Sequence, residues 1–155
     1  MAKSKEVEAL EDYSKLLSEL ADNPIPFFKE ATYEGAAVMA DGIRKEIQSA
    51  TIHSNASDGM TKIEQQALLK GLGISKFDVR DGANVKIGFA GYGDVPTKKW
   101  PKGVPIPLTA RSLIGGTSWR VKDDFMGRAI RKYREKTIDA ISNKADEILK
   151  RKFEQ

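Results

Sequence analysis

Apolar residues recur at three- and four-residue steps in three stretches of the chain, a period that fits amphipathic helix and little else. From Lys5 to Ala21 the series is Val7, Leu10, Tyr13, Leu17 and Leu20, with glutamates and lysines between them. From about Phe27 to Ser49 it is Phe28, Ala31, Gly35, Val38, Met39, Ile43 and Ile47, and from Asp123 to about Phe153 it is Met126, Ile130, Tyr133, Thr137, Ile141, Ala145 and Ile148. Each such helix needs a surface that covers its apolar side. Asn23-Pro24-Ile25-Pro26 separates the first two, because proline lacks an amide donor and biases its predecessor away from helical angles. Gly35 and Gly42 lie inside the second, where each costs about 0.5–1 kcal/mol relative to alanine. That cost predicts close approach of another backbone on the same side. Asp123 and Asp124 suit the start of the last helix, and Lys150, Arg151 and Lys152 its end, through the helix dipole.

Between the second and third helical stretches the pattern changes. Thr61-Lys62-Ile63-Glu64 has capping-box spacing, and Leu68, Leu69 and Leu72 precede the stop at Gly71 and Gly73, so a short helix is expected. Phe77 and Val79, then Val85, Ile87 and Phe89, alternate with polar residues around Asp81-Gly82, which predicts a hairpin. From Gly91 to Pro107 three glycines and four prolines surround Lys98-Lys99-Trp100, a composition that rejects helix and central strand. Loops of this length in a compact domain tend to carry function. Leu108 to Ile114 reads as a short helix ended by Gly115-Gly116-Thr117, where one glycine takes a positive φ. The expectation is an α+β fold: a small antiparallel sheet packed with long helices, with residues 1–24 as an N-terminal helical arm and 25–155 as one domain.

The 155 residues are 40% hydrophobic and 31% charged, enough apolar content for a packed core and too much for wholesale disorder. Cysteine is absent, which removes disulfides, thiolate metal ligands and cysteine nucleophiles together. No apolar run of about 18 residues exists, and Met-Ala-Lys-Ser-Lys-Glu-Val-Glu lacks an apolar signal region, so assembly in the cytoplasm and no membrane are expected. The net charge of +4 is uneven: residues 1–126 carry 17 Lys/Arg and 17 Asp/Glu, residues 127–155 carry 9 and 5. Arg128, Arg131, Lys132, Arg134 and Lys136 crowd the last helix. They would suit a DNA-lined lumen or an acidic partner, although the spacing spreads them around the helix rather than along one stripe.

Catalytic signatures are missing. The single histidine, His53, has neither cysteine nor a second histidine near it, and Gly91-Tyr92-Gly93 lacks the third glycine and helix of a dinucleotide loop. Asp78 and Asp81 read as turn residues, Asp123 and Asp124 as helix caps. No catalytic residue, metal or cofactor is expected, and Trp100 and Trp119 are better explained by packing or a protein interface.

In order along the chain stand Thr61-Lys62, Leu72-Gly73-Ile74, Asn84-Val85-Lys86-Ile87-Gly88-Phe89, Gly91-Tyr92, Lys98-Lys99-Trp100-Pro101-Lys102-Gly103, Ala110-Arg111-Ser112, Gly116-Thr117-Ser118, Phe125 and Ala129. This series resembles the head-to-tail joining, or tail-completion, proteins of long-tailed bacteriophages and prophages, a family related to the tenth gene product of a lambdoid coliphage. The resemblance covers roughly residues 30–150 and is densest from Asn84 to Ala129. Two positions depart from the family pattern: Gly115, where a bulkier or acidic residue is common, and Asp124, where a proline commonly precedes the phenylalanine. The resemblance implies a structural virion protein at the neck or top of the tail. It would form a sixfold or twelvefold ring that touches head-completion or connector proteins on one side and tail-tube or terminator proteins on the other, with passage of DNA. For such a ring, Lys98, Lys99 and Trp100 are the expected docking loop, and Arg111, Gly116, Thr117 and Trp119 the expected fixed turn and neighbour contacts. A tail-terminator subunit is the near alternative. A small nucleic-acid-binding protein using the basic last helix is the alternative of another class, and an enzyme ranks last.

Overall fold

The computed structural model describes residues 5–80 and 82–154. Five helices and a two-strand sheet follow in order: α1 (Lys5–Asp22), α2 (Ile25–Ser49), α3 (Lys62–Gly71), β1 (Leu72–Ile74), β2 (Ile87–Phe89), α4 (Ile106–Gly115) and α5 (Phe125–Phe153). The strands are antiparallel, with Leu72 opposite Phe89 and Ile74 opposite Ile87. The α+β class with a small sheet and a long last helix is therefore the fold that forms.

The prolines between α1 and α2 act where the sequence places them. Pro24 caps α2 and Pro26 lies in its first turn, where a missing amide leaves no hydrogen bond unmade. α2 then runs antiparallel to α5. Glu30, early in α2, meets Lys144 at 3.6 Å and Arg151 at 2.9 Å, while Glu46, late in α2, meets Lys132 at 3.0 Å and Arg128 at 3.4 Å. Gly35 and Gly42 are close-approach points, but to side chains rather than to a backbone. Ile141 occupies the space a Cβ on Gly35 would need, and the Tyr133 ring the space at Gly42.

The buried side of α5 also differs from the simple period. Phe125, Ala129 and Tyr133 are buried at four-residue steps, and the row continues through Thr137 and Ile141 against Gly35, leaving Ile130 exposed. Packing along an i, i+4 ridge selects this row over the three-residue steps. On α2, likewise, Phe28 is exposed while Ala36 and Ala40 join Ile43 and Ile47 inside. Met60, Leu68, Leu72, Ile106, Ala110 and Leu113 complete the core, where Phe125 meets Phe89 edge-on with ring centroids 6.0 Å apart.

Two boundaries are corrected. Leu72, expected in the short helix, is the first strand residue, whereas Phe77–Val79, expected as a strand, forms only an isolated bridge at Asp78 opposite Asn84. Side chains replace the ladder there: the Tyr33 hydroxyl accepts from Phe77 N at 2.8 Å, and Ser75 Oγ accepts from Lys86 N at 2.8 Å. Gly82 has φ +91°, as a turn requires, while Asp81 lies outside the described residues. The long loop ends at Pro105, because Ile106 and Pro107 belong to α4, whose first turn again tolerates proline. α4 ends at Gly115 with Gly116 as its C-cap, at φ +69°, as the Gly115-Gly116-Thr117 stop predicts. The capping box at the start of α3 is present as expected, with Glu64 Oε2 accepting from Thr61 N at 3.0 Å.

Gly42→Ala should destabilise the fold by about 1–3 kcal/mol through overpacking against Tyr133, despite the better helix propensity of alanine. Urea denaturation measures this, and an unchanged or raised midpoint would contradict the side-chain notch.

Candidate docking groove

Arg120 is the polar centre of the region between α3 and α5. Its side chain is only 2% exposed and uses its whole fork. Nε donates to Ala56 O at 2.8 Å, Nη1 to Ser112 Oγ at 2.8 Å, and Nη2 to the Glu64 carboxylate. A planar guanidinium with fixed donors suits three acceptors on three segments better than any other side chain. It joins the 51–60 loop, the first turn of α3 and α4. Glu64 serves twice, capping α3 with one oxygen and holding Arg120 with the other. The turn that presents Arg120 is closed by paired backbone bonds between Thr117 and Arg120, then fixed by Val121 N to Ser57 O at 2.9 Å and Asp123 N to Leu113 O at 2.8 Å.

Facing this turn, the long loop is pinned at its neck. Ile106 N donates to Gly91 O at 2.9 Å and Gly93 N to Val104 O at 2.8 Å. Gly103, at φ +100°, lies against the Gly93 backbone, where any Cβ would collide. Lys70 holds Asp94 at 2.8 Å. Between loop, turn, α3 and α4 lies an open groove of about 490 Å³. Its walls are mainly apolar: Ile63 from α3, Val95 and Val104 from the loop, Leu108 from α4 and Trp119 from the turn. Trp119 is 59% exposed and Ile63 57%, although both are large and apolar. The Arg120 guanidinium stands 5.0 Å from the Trp119 ring, so the buried cation supports the exposed indole from one side.

The structure brings Lys99, Thr117 and Trp119 together along this groove, from segments some twenty residues apart. Lys98 is exposed at the loop tip, and Trp100 is half-buried with Lys99 Nζ 5.7 Å from its ring centroid. Gly116 is the C-cap of α4, packed against Lys122, and Arg111 is exposed on α4. Arg120, Ile63, Val95 and Leu108 are groove residues that the sequence does not mark as part of a site. The only signal for Arg120 is its place after Trp119 in a glycine-led turn, which does not announce burial.

Of the basic residues on α5, Arg128 pairs with Asp123 at 2.8 Å and with Glu46, and Lys132 pairs with Glu46. Two of the four cations considered for DNA or acidic partners thus serve the α2–α5 contact. Arg131 and Arg134 are exposed, with no ion pair among the described residues. The Lys132 hydrogen bond holds the Glu46 carboxyl below the usual glutamate range, against the opposing effect of its burial. Beside this cluster a cleft of about 550 Å³ is lined by His53, Asp58, Asp123 and Arg128. Its Asp123 and Glu46 carboxylates are already engaged by cations. Asp78 is held by Arg80 at 2.7 Å in the hairpin, and no cluster of potential metal ligands occurs among the described residues. Nor is any helix there long and apolar enough to cross a membrane.

No protein-family model, curated protein or solved structure matches the chain.

Arg120→Met should cost about 3–5 kcal/mol, because it leaves Glu64, Ser112 and Ala56 O without their donor. Arg120→Lys should recover less than half of that loss, since an ammonium cannot span the three acceptors, and chemical denaturation reports both. Glu46 has a depressed folded-state pKa, so its contribution is fully present above about 4.3, the ordinary value, and is lost as pH falls through the folded value. Glu46→Gln should therefore lower stability at neutral pH and converge with the wild type in acid. A gap that persists at low pH would contradict the ion-pair account.

Proposed function

We propose that this chain is a non-catalytic structural subunit of a tailed bacteriophage, placed at the neck, where it completes the tail and joins it to the DNA-filled head. The observation that carries the reading is the ordered motif series from Asn84 to Ala129, together with where two of its members, Lys99 and Thr117, fall beside Trp119. Lys99, Thr117 and Trp119, the contact residues expected for a ring, border one exposed apolar groove held in shape by a buried arginine. Large apolar side chains exposed on a rigid frame cost solubility without helping the fold, and their usual use is burial against a partner. The mechanism is interface complementarity: a preformed groove takes an apolar element of a neighbour, and basic loop residues set the approach. Exposed Arg131 and Arg134 suit weak, sequence-independent contact with passing phosphates.

Electron microscopy of lysates from the phage or prophage with this gene deleted tests the reading. Separate DNA-filled heads and tails of normal length are expected. Abnormally long tails would favour termination, and intact particles would contradict the neck assignment. Complementation with Trp119→Ser, a change at an exposed position, should yield soluble, folded protein that fails to restore joined particles.

A further inference from the structure

We infer that the groove between α3, the 91–105 loop, α4 and the 117–120 turn receives helix α1 of a second copy of this chain. This rests on the groove being an interface, as proposed above, and names its occupant.

α1 has one apolar stripe. Its inner edge carries Leu16, the only buried residue of the helix, and its middle carries Tyr13, which stacks on Phe153 at 5.3 Å, so the stripe packs on the end of α5. Its outer edge carries Leu10 and Leu17, seven residues apart, with Leu10 68% exposed and Leu17 about half exposed. An i, i+7 pair of leucines on an exposed helix is the pattern of a helix that lies in an apolar groove. Charge agrees. Lys5–Asp22 carries six carboxylates (Glu6, Glu8, Glu11, Asp12, Glu19 and Asp22) against Lys5 and Lys15. The loop that walls the groove carries Lys98, Lys99 and Lys102, and its one acid, Asp94, is already held by Lys70. On the groove wall Glu64 is held by Arg120 and Asp94 by Lys70, so Lys99 is the charge left to meet a net-negative helix with exposed leucines.

The fold prevents a chain from satisfying itself. α1 is fixed at the C-terminal end of α5, with Leu20 beside Ile148 and Tyr13 on Phe153. The groove lies by Trp119 and Arg120, before the other end of α5. Those ends are separated by 29 residues of helix, roughly 43 Å, and the chain order along α1 carries Leu10 further from the groove. Different patches at opposite ends of one subunit make a head-to-tail contact, which repeats into a closed ring or an open filament.

The cysteine-free sequence makes the test direct, since any introduced cysteine is unique. Full-length Leu17→Cys and Leu108→Cys variants, one bearing a mass tag, are mixed at about 1 mM, where even a millimolar Kd leaves much of the contact occupied. After mild oxidation they are run on a denaturing gel. The expected result is a mixed disulfide dimer at least fivefold above the control pair Leu17→Cys and Ser142→Cys. The doubly substituted Leu17→Cys, Leu108→Cys chain should give a ladder of covalent multimers, and Lys99→Glu should weaken both products. Mixed dimer at the control level, or a disulfide closed within one chain, would overturn the inference. If cross-linking fails while Trp119→Ser still blocks joining of heads to tails, α1 is overturned as the occupant and the neck reading stands. Cross-linking with intact particles from the gene deletion would do the reverse.

Discussion

The Arg120 guanidinium is the interaction on which the groove end of the molecule depends. The 51–60 loop, the start of α3 and α4 share little regular structure, and their free acceptors would face one another without a common donor. One planar cation answers all three. Removing it leaves buried acceptors unpaired, which costs more than the hydrogen bonds contribute when made. The same residue lies behind Trp119, so the clamp that closes the core also sets the wall of the groove. Stability and the shape of the groove are thereby coupled through one side chain.

The rest of the frame is the antiparallel pair of α2 and α5. Glycines at positions 35 and 42 admit Ile141 and Tyr133, and ion pairs at both ends fix the register. This pair separates α1 from the groove by the length of α5. A chain with an acidic, leucine-bearing helix at one end and an apolar-walled groove beside a lysine-rich loop at the other is polar in the sense that rings and filaments require. The surplus positive charge of the C-terminal segment is in part internal, since Arg128 and Lys132 neutralise Glu46, and Lys144 and Arg151 neutralise Glu30.

Much of the fold was legible because it follows local rules. The capping box at Thr61, the prolines before α2, the aspartates before α5 and the positive φ at Gly116 all act through neighbours within four residues. What was not legible depends on distant partners. The strand at Leu72–Ile74 is set by pairing with residues 87–89, and the loss of regular strand at Phe77–Val79 by Tyr33, more than forty positions away. The site divides the same way. Thr117 and Lys99 stand in the motif series and Trp119 was named as an interface aromatic, but their meeting in one groove, and the burial of Arg120 behind it, come from loop closure that no periodicity encodes.

The central claim is that this chain is part of a virion, held there by its interfaces. Quantitative mass spectrometry of gradient-purified particles from the strain that carries the gene tests this most directly. The account predicts peptides of this chain in every intact particle, at a small fixed ratio to the tail-tube protein. Their absence from intact particles, with the chain recovered only in the soluble fraction, would contradict it.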